Sequence, residues 1–140
     1  MQQLQILSGS WEQFAQDAKL IREQVFIQEQ QIAAEDEWDS EDAVSLHFIA
    51  YDQGQAIATA RLLENNSIGR VAVLKEYRGQ GVGRVLMQSI IQLAQQQGRS
   101  FVKLSSQVHA LPFYASLGFI AEGEEYLDCG IPHMDMRLCF

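Results

Sequence analysis

The sequence predicts a mixed α/β fold, a largely antiparallel sheet with helices packed on its faces. Three observations carry this. Short apolar runs rich in β-branched residues are bounded by turn residues, as strands are. Two longer segments repeat apolar residues at helical spacing. The two kinds follow one another as β-α-β-β-β-α-β-α-β-β.

Leu4 to Leu7 is a short apolar strand. Ser10 offers an N-cap with Gln13 three residues on, a capping box. Trp11, Phe14, Ala15, Ala18, Ile21 and Val25 then give a helix one apolar stripe, running on into Phe26-Ile27-Gln28-Glu29-Gln30. Leu46 to Tyr51 and Gln55 to Leu63 read as strands joined by the hairpin signal Asp52-Gln53-Gly54. Asn65-Asn66-Ser67 turns the chain into a strand over Ile68 to Leu74. Val82, Val85, Leu86, Ile90, Leu93 and Ala94 mark a second helix that stops at Gly98. Phe101 to Ser105 reads as a buried strand, and Val108 to Leu117 as a helix with Pro112 in its first turn. Gly118 ends that helix, and Phe119 to Ala121 and Met134 to Leu138 supply the last two strands.

Between the first helix and the second strand, Glu35 to Asp42 holds six of the eighteen acidic residues. Two readings stand side by side: a solvated loop, or a negative lip that draws a cationic partner, with Trp38 as its lid.

A chain of 140 residues with 47% hydrophobic content suits a single domain, 1–140. No run of about 18 apolar residues could span a membrane, and Met1 to Gln5 lacks a signal peptide's basic start. Cys129 and Cys139 form neither a disulfide framework nor a metal-ligand spacing. The expectation is therefore a cytoplasmic protein without a metal. A net charge of −8 speaks against nucleic acid and anionic membranes and suits an amine-bearing partner. A homodimer is left open.

The segment richest in chemical information is Arg78-Gly79-Gln80-Gly81-Val82-Gly83-Arg84, between a strand and a helix. Glycines at alternate positions let the backbone turn tightly with its N–H groups bare. At a helix N-terminus those donors, and the dipole behind them, favour an anion such as phosphate. One glycine would suffice for a plain turn. Arg70, Lys75, Arg78 and Arg84 also concentrate four of the ten basic residues here. A P-loop is excluded because no Gly-Lys pair occurs in the chain, and a dinucleotide fingerprint because Arg84 stands where its third glycine would be.

What remains, Arg/Gln-x-x-Gly-x-Gly filled by Arg78, Gly81 and Gly83, resembles the acyl-CoA pyrophosphate loop of the GNAT family of N-acetyltransferases. A second stretch, Ala110-Leu111-Pro112-Phe113-Tyr114-Ala115-Ser116-Leu117-Gly118-Phe119, resembles that family's Ala-x-x-Phe-Tyr-x-x-Leu-Gly-Phe signature. Taken alone, Phe113, Tyr114 and Leu117 would read as core. The two motifs occur in the family's order, and the resemblance spans essentially the whole chain. It implies a sheet of six to seven strands splayed at its middle. It departs at residues 28 to 45, which read as an acidic loop where the family often has a second helix.

The resemblance implies transfer of an acetyl group from acetyl-CoA to an amine of a small molecule or peptide, by direct attack in a ternary complex. The alternative it leaves is a non-catalytic acyl-CoA sensor on the same fold. Val71, Ala72 and Val73 would meet the pantetheine arm. Gly79, Gln80, Gly81, Val82, Gly83 and the two arginines, Arg78 and Arg84, would hold the pyrophosphate, with Ala110 and Phe113 beside the cofactor. Tyr114 would protonate the leaving thiolate. The amine's base is open among Glu29, His133, His109 and Asp128. Arg22 and Glu29, two turns apart on one helix, could equally form an ion pair.

Overall fold

Residues 4–140 are described by a computed structural model. Seven strands form one sheet: β1 (Leu4–Gly9), β2 (Leu46–Asp52), β3 (Gln55–Leu62), β4 (Ser67–Val73), β5 (Phe101–Gln107), β6 (Ile120–Asp128) and β7 (Ile131–Cys139). Their order is β1-β2-β3-β4-β5-β7-β6. Every neighbouring pair is antiparallel except β4 and β5. That single parallel pair follows from the crossover helix between them.

Helix α1 (Trp11–Arg22) starts at the expected box, with Gln13 N–H donating to Ser10 Oγ at 3.3 Å and Ser10 N–H to Gln13 Oε1 at 3.1 Å. Beyond Arg22 the helix widens into a π-helical stretch, Glu23–Glu29, where Gln30 N–H reaches the carbonyl five residues back, on Val25. Phe14, Ala18, Ile21 and Val25 pack on Ile49, Ala72 and Leu74. Between α1 and β2 lies the short α2 (Ala34–Glu37). Helix α3 (Val82–Gln96) buries Val82, Leu86, Ile90 and Ala94 in a separate cluster with Phe48, Ile57 and Val102. Phe48 and Ile49 are adjacent on β2 and enter different clusters, so α1 and α3 cover opposite faces. After β5 comes α4 (Leu111–Ala115).

Three sequence expectations are corrected. The helix expected over Val108 to Leu117 is a 3-10 turn, Val108–Ala110, leading into α4, with Pro112 in its first turn. The last two strands are longer than the alternation suggested, because β6 is an edge strand with every residue exposed and so carries no burial pattern. They meet at Cys129 (φ 50°) and Gly130 (φ 77°), a two-residue hairpin with both residues left-handed. His133, one residue ahead of the strand expected from Met134, is therefore the third residue of β7. Finally, residues 35 to 42 are not solvated throughout. Glu37 and Asp42 are 2% and 4% exposed, in α2 and in a 3-10 turn over Ser40–Val44.

Candidate active site

Strands β4 and β5 pair only at Ser67–Lys103 and Ile68–Leu104, and then part. A bulge in β4 accompanies the parting: Ala58 and Thr59 face Val73 and Ala72, but Arg61 faces Gly69, with Arg70 left-handed at φ 51°. A cleft of about 1000 Å³ opens in the gap. Val71, Ala72 and Val73 line it on one side, and Ala110, Phe113 and Tyr114 on the other. Of the residues expected from the sequence to bind the cofactor or carry the catalysis, Gln80 stays outside; its side-chain amide donates to Glu76 O at 3.1 Å.

One end of the cleft is formed by the glycine loop and the start of α3. Gly79 (φ 75°) and Gly81 (φ 85°) hold left-handed conformations, and Gly81 caps α3 with no side-chain partner. Among the described residues, the N–H groups of Val82, Gly83 and Arg84 find no acceptor. These bare donors at a helix N-terminus fit a pyrophosphate. Gly83 lies inside α3, where a Cβ would make ordinary van der Waals contact with the Phe113 ring at 3.4 Å, so packing against α4 does not by itself require a glycine. Arg84 rests over Phe113 at 5.9 Å and donates to Ser116 Oγ at 2.6 Å. Arg78 is more occupied: its Nε donates to Val73 O at 2.9 Å, and its two terminal nitrogens grip Glu29 at 2.5 and 2.8 Å. That grip lowers the pKa of Glu29, the hydrogen bond from Arg78 being the main cause. Glu29 and Arg22 do not pair with each other.

Midway along the cleft stands Tyr114, 9% exposed, with Phe113 and Phe119 edge-on at 5.0 and 6.0 Å. Among the described residues its hydroxyl makes no hydrogen bond, and burial pushes its pKa up to about 12. The phenol thus stays protonated across the neutral range.

The far end is bordered by β7, the β6–β7 hairpin and α2. His133, 9% exposed, donates from Nδ1 to Ile131 O at 2.7 Å, and its Nε2 has no hydrogen-bond partner among the described residues. Asp128 and Cys129 line this end, and desolvation, then the charges of Asp128 and Asp36, raise the Cys129 thiol pKa. His109 Nε2 meets Gln107 Oε1 at 2.7 Å, and Gln107 in turn donates to Gln30 Oε1 at 2.9 Å. The adjacent residues Glu29 and Gln30 thus bridge to opposite rims of the cleft, a pairing that no local sequence signal marked.

The acidic stretch proves to be half of an ion network. Arg22, 1% exposed, binds Glu37 at 2.6 Å and Asp42 at 2.7 Å, and also stacks over Trp38 at 5.0 Å. Arg61 binds Asp39 at 2.6 Å and Asp42 at 2.9 Å, holding the Asp39 carboxyl down at about 2. Arg70 reaches Glu37 at 3.3 Å and Asp39 at 3.2 Å, so it serves this wall and not the phosphate end. Three of the six carboxylates of the expected lip, on Glu37, Asp39 and Asp42, are thereby held in ion pairs.

Residues 12–140 match the family model described as an acetyltransferase (GNAT) domain. The N-acetyltransferase YjcF of Bacillus subtilis, itself uncharacterised, is 36% identical over 89% of this chain and 92% of its own. The crystal structure of an acyl-CoA N-acyltransferase from Pseudomonas aeruginosa superposes with a TM-score of 0.87 at 32% identity, covering 96% of this chain and 99% of that one. A Bacillus anthracis structure in complex with acetyl coenzyme A is 26% identical, with a TM-score of 0.61, over 69% of this chain and 62% of that one. No helix among the described residues is long and apolar enough to cross a membrane. With the parted strands, the bare helix N-terminus and these relatives in agreement, the chain belongs to the GNAT family and is an N-acetyltransferase.

Proposed function

We propose that the protein moves an acetyl group from acetyl-CoA to an amine of a small molecule by direct attack in a ternary complex. One observation carries the reading. Val82 to Arg84 with their bare N–H groups, Tyr114 with its unbonded hydroxyl and His133 with its unbonded Nε2 all line one cleft. Acetyl-CoA, when bound, supplies the activated acyl carbon. The α3 N-terminus and Arg84 hold its pyrophosphate, with Arg78 adding charge beside them. The β5-facing edge of Val71 to Val73, unpaired beyond Ile68, offers backbone groups to the pantetheine amides. Backbone near Val73 stabilises the charge that develops on the carbonyl oxygen.

His133 Nε2 takes the proton that the attacking amine gives up. Glu29 suits that task less well, because Arg78 holds its carboxylate in the ionised, weakly basic form. As the N–C bond forms and the C–S bond breaks, the Tyr114 hydroxyl passes its proton to the departing sulfur. Transfer to peptide lysines and a cytoplasmic setting, where the exposed Cys129 and Cys139 would stay reduced, belong to the same reading. The test is release of free thiol from acetyl-CoA with a panel of amines. CoA that stabilises the fold while no amine releases thiol would instead identify an acyl-CoA sensor.

A further inference from the structure

One polar cluster beside the cleft is unused by the reaction as described. Tyr126 stands on the exposed edge strand β6, directly after the bulge that separates the pairs Glu122–Asp135 and Tyr126–His133, where Gly123 is left-handed at φ 79°. Bulges of this kind re-aim side chains. The Tyr126 hydroxyl donates to Asp135 Oδ1 at 2.6 Å and accepts from Ser105 Oγ. Asp135 and Ser105 are themselves cross-strand partners, the next pair along from His133 on the same face of the sheet. The phenol thus runs along the sheet past His133, and the two rings lie 23° from parallel with centroids 6.1 Å apart.

His133 is in this way flanked from both neighbouring strands. Its partner on β5 is Gln107, whose amide is fixed by Gln30 and His109. Its partner on β6 is Tyr126, fixed by Asp135 and Ser105. Side chains directly opposed on adjacent strands lie close enough to interact. Tyr126 is 38% exposed and belongs to neither buried cluster, so core packing does not account for its two hydroxyl hydrogen bonds. We infer that Tyr126 is a positioning residue: its tethered ring holds the His133 imidazole against Gln107, so that the unpartnered Nε2 keeps one orientation toward the attacking amine. The bond from Nδ1 to Ile131 O alone would let the ring pivot. A misplacement of about 1 Å at a reacting centre is enough to cost about a hundredfold in rate.

The inference rests on the reading of His133 as the amine's base, so the test separates the two. Thiol release from acetyl-CoA gives kcat for Tyr126→Leu in the parent and in a His133→Gln background. Tyr126→Phe, which keeps the ring and loses both tethers, is measured beside it and carries the test if the leucine variant does not fold. The expected loss in the parent is about tenfold for Tyr126→Leu and about threefold for Tyr126→Phe, with KM for acetyl-CoA unchanged, and no further loss once His133 is gone. NMR of the ring nitrogens, recorded with the imidazole deprotonated, reads the same effect without turnover: the parent carries the His133 proton on Nδ1, and Tyr126→Leu adds the form protonated on Nε2. Equal losses in both backgrounds make Tyr126 a purely structural residue and overturn the inference, as does an undiminished kcat in the parent background. Should no amine release thiol, or His133→Gln keep full activity, the base reading fails. The positioning is then decided by the ring spectrum, and signals unaltered by Tyr126→Leu overturn it.

Discussion

Replacing Arg22 by Met removes the central cation of the wall that separates α1 from the acidic segment. The side chain is 1% exposed, and both of its partners are buried. Removing one member of a buried ion pair costs about 3–5 kcal/mol, because the remaining charge stays desolvated and unpaired. Here Asp42 keeps Arg61 at 2.9 Å and Glu37 keeps Arg70 at 3.3 Å, so the lower end, about 3 kcal/mol, applies. For 140 residues the unfolding entropy is about 0.3 kcal/mol per kelvin, so the melting temperature should fall by about 10 °C. The pH dependence has a definite sign. Burial already raises the Glu37 pKa, opposed chiefly by the hydrogen bond from Arg22, and losing Arg22 raises it further. A carboxyl whose folded pKa lies above its unfolded value binds more protons in the native state, so stability falls as pH rises through that window. The variant's deficit should therefore be smaller at pH 5.5 than at pH 7.5, read by calorimetric melts of both proteins at each pH. Melting within 2 °C of the parent by these melts, or a deficit that grows on acidification, would refute the reasoning.

Four further outcomes are expected. Tyr114→Phe should lower kcat by about a hundredfold or more while the melting temperature and the KM for acetyl-CoA hold, because the lost hydroxyl has no protein partner; stopped-flow thiol release gives the number. In the parent enzyme, whose phenol is pushed to about 12, the loss of this acid at high pH should begin only well above the usual tyrosine range. Gly81→Val forces a β-branched residue to φ 85°, a strain of about 1–2 kcal/mol, in open space, so CoA binding should weaken without loss of the fold, as circular dichroism with CoA titration checks. Arg84→Ala should weaken CoA by about 1.5–3 kcal/mol and leave the affinity for phosphate-free pantetheine unchanged, and an equal loss for both would displace the pyrophosphate from α3.

Features that depend on neighbours along the chain are legible in the sequence itself. The glycine loop, the Ser10 capping box, the Gln53-Gly54 hairpin and the Ala110 to Phe119 signature each lie within about a dozen residues, and each appears where its local chemistry requires. The acidic segment is not legible in this way, because its meaning lies in Arg22, Arg61 and Arg70, which approach it across 15 to 33 positions of sequence. An acid-rich stretch has the same composition whether water or guanidinium satisfies it. β6 is hidden for the opposite reason: an edge strand exposed on both faces has no alternation to detect. Arg70 gives no warning of its left-handed bulge, since arginine is not a residue that favours that conformation.

The widened turn at Glu23–Glu29 makes this stretch intolerant of length change in a way that the surface loops are not. It inserts one surplus residue into a helix, so every position beyond it is phased to the added residue. Glu29 and Gln30 reach opposite rims only with that phase. Deleting a single residue between Val25 and Gln28 would restore ordinary helical winding and swing both side chains by roughly a quarter turn or more around the axis. Arg78 and Gln107 would then lose their tethers together. A substitution at one of its exposed positions changes one side chain, but an insertion or deletion here shifts both edges of the cleft in one event.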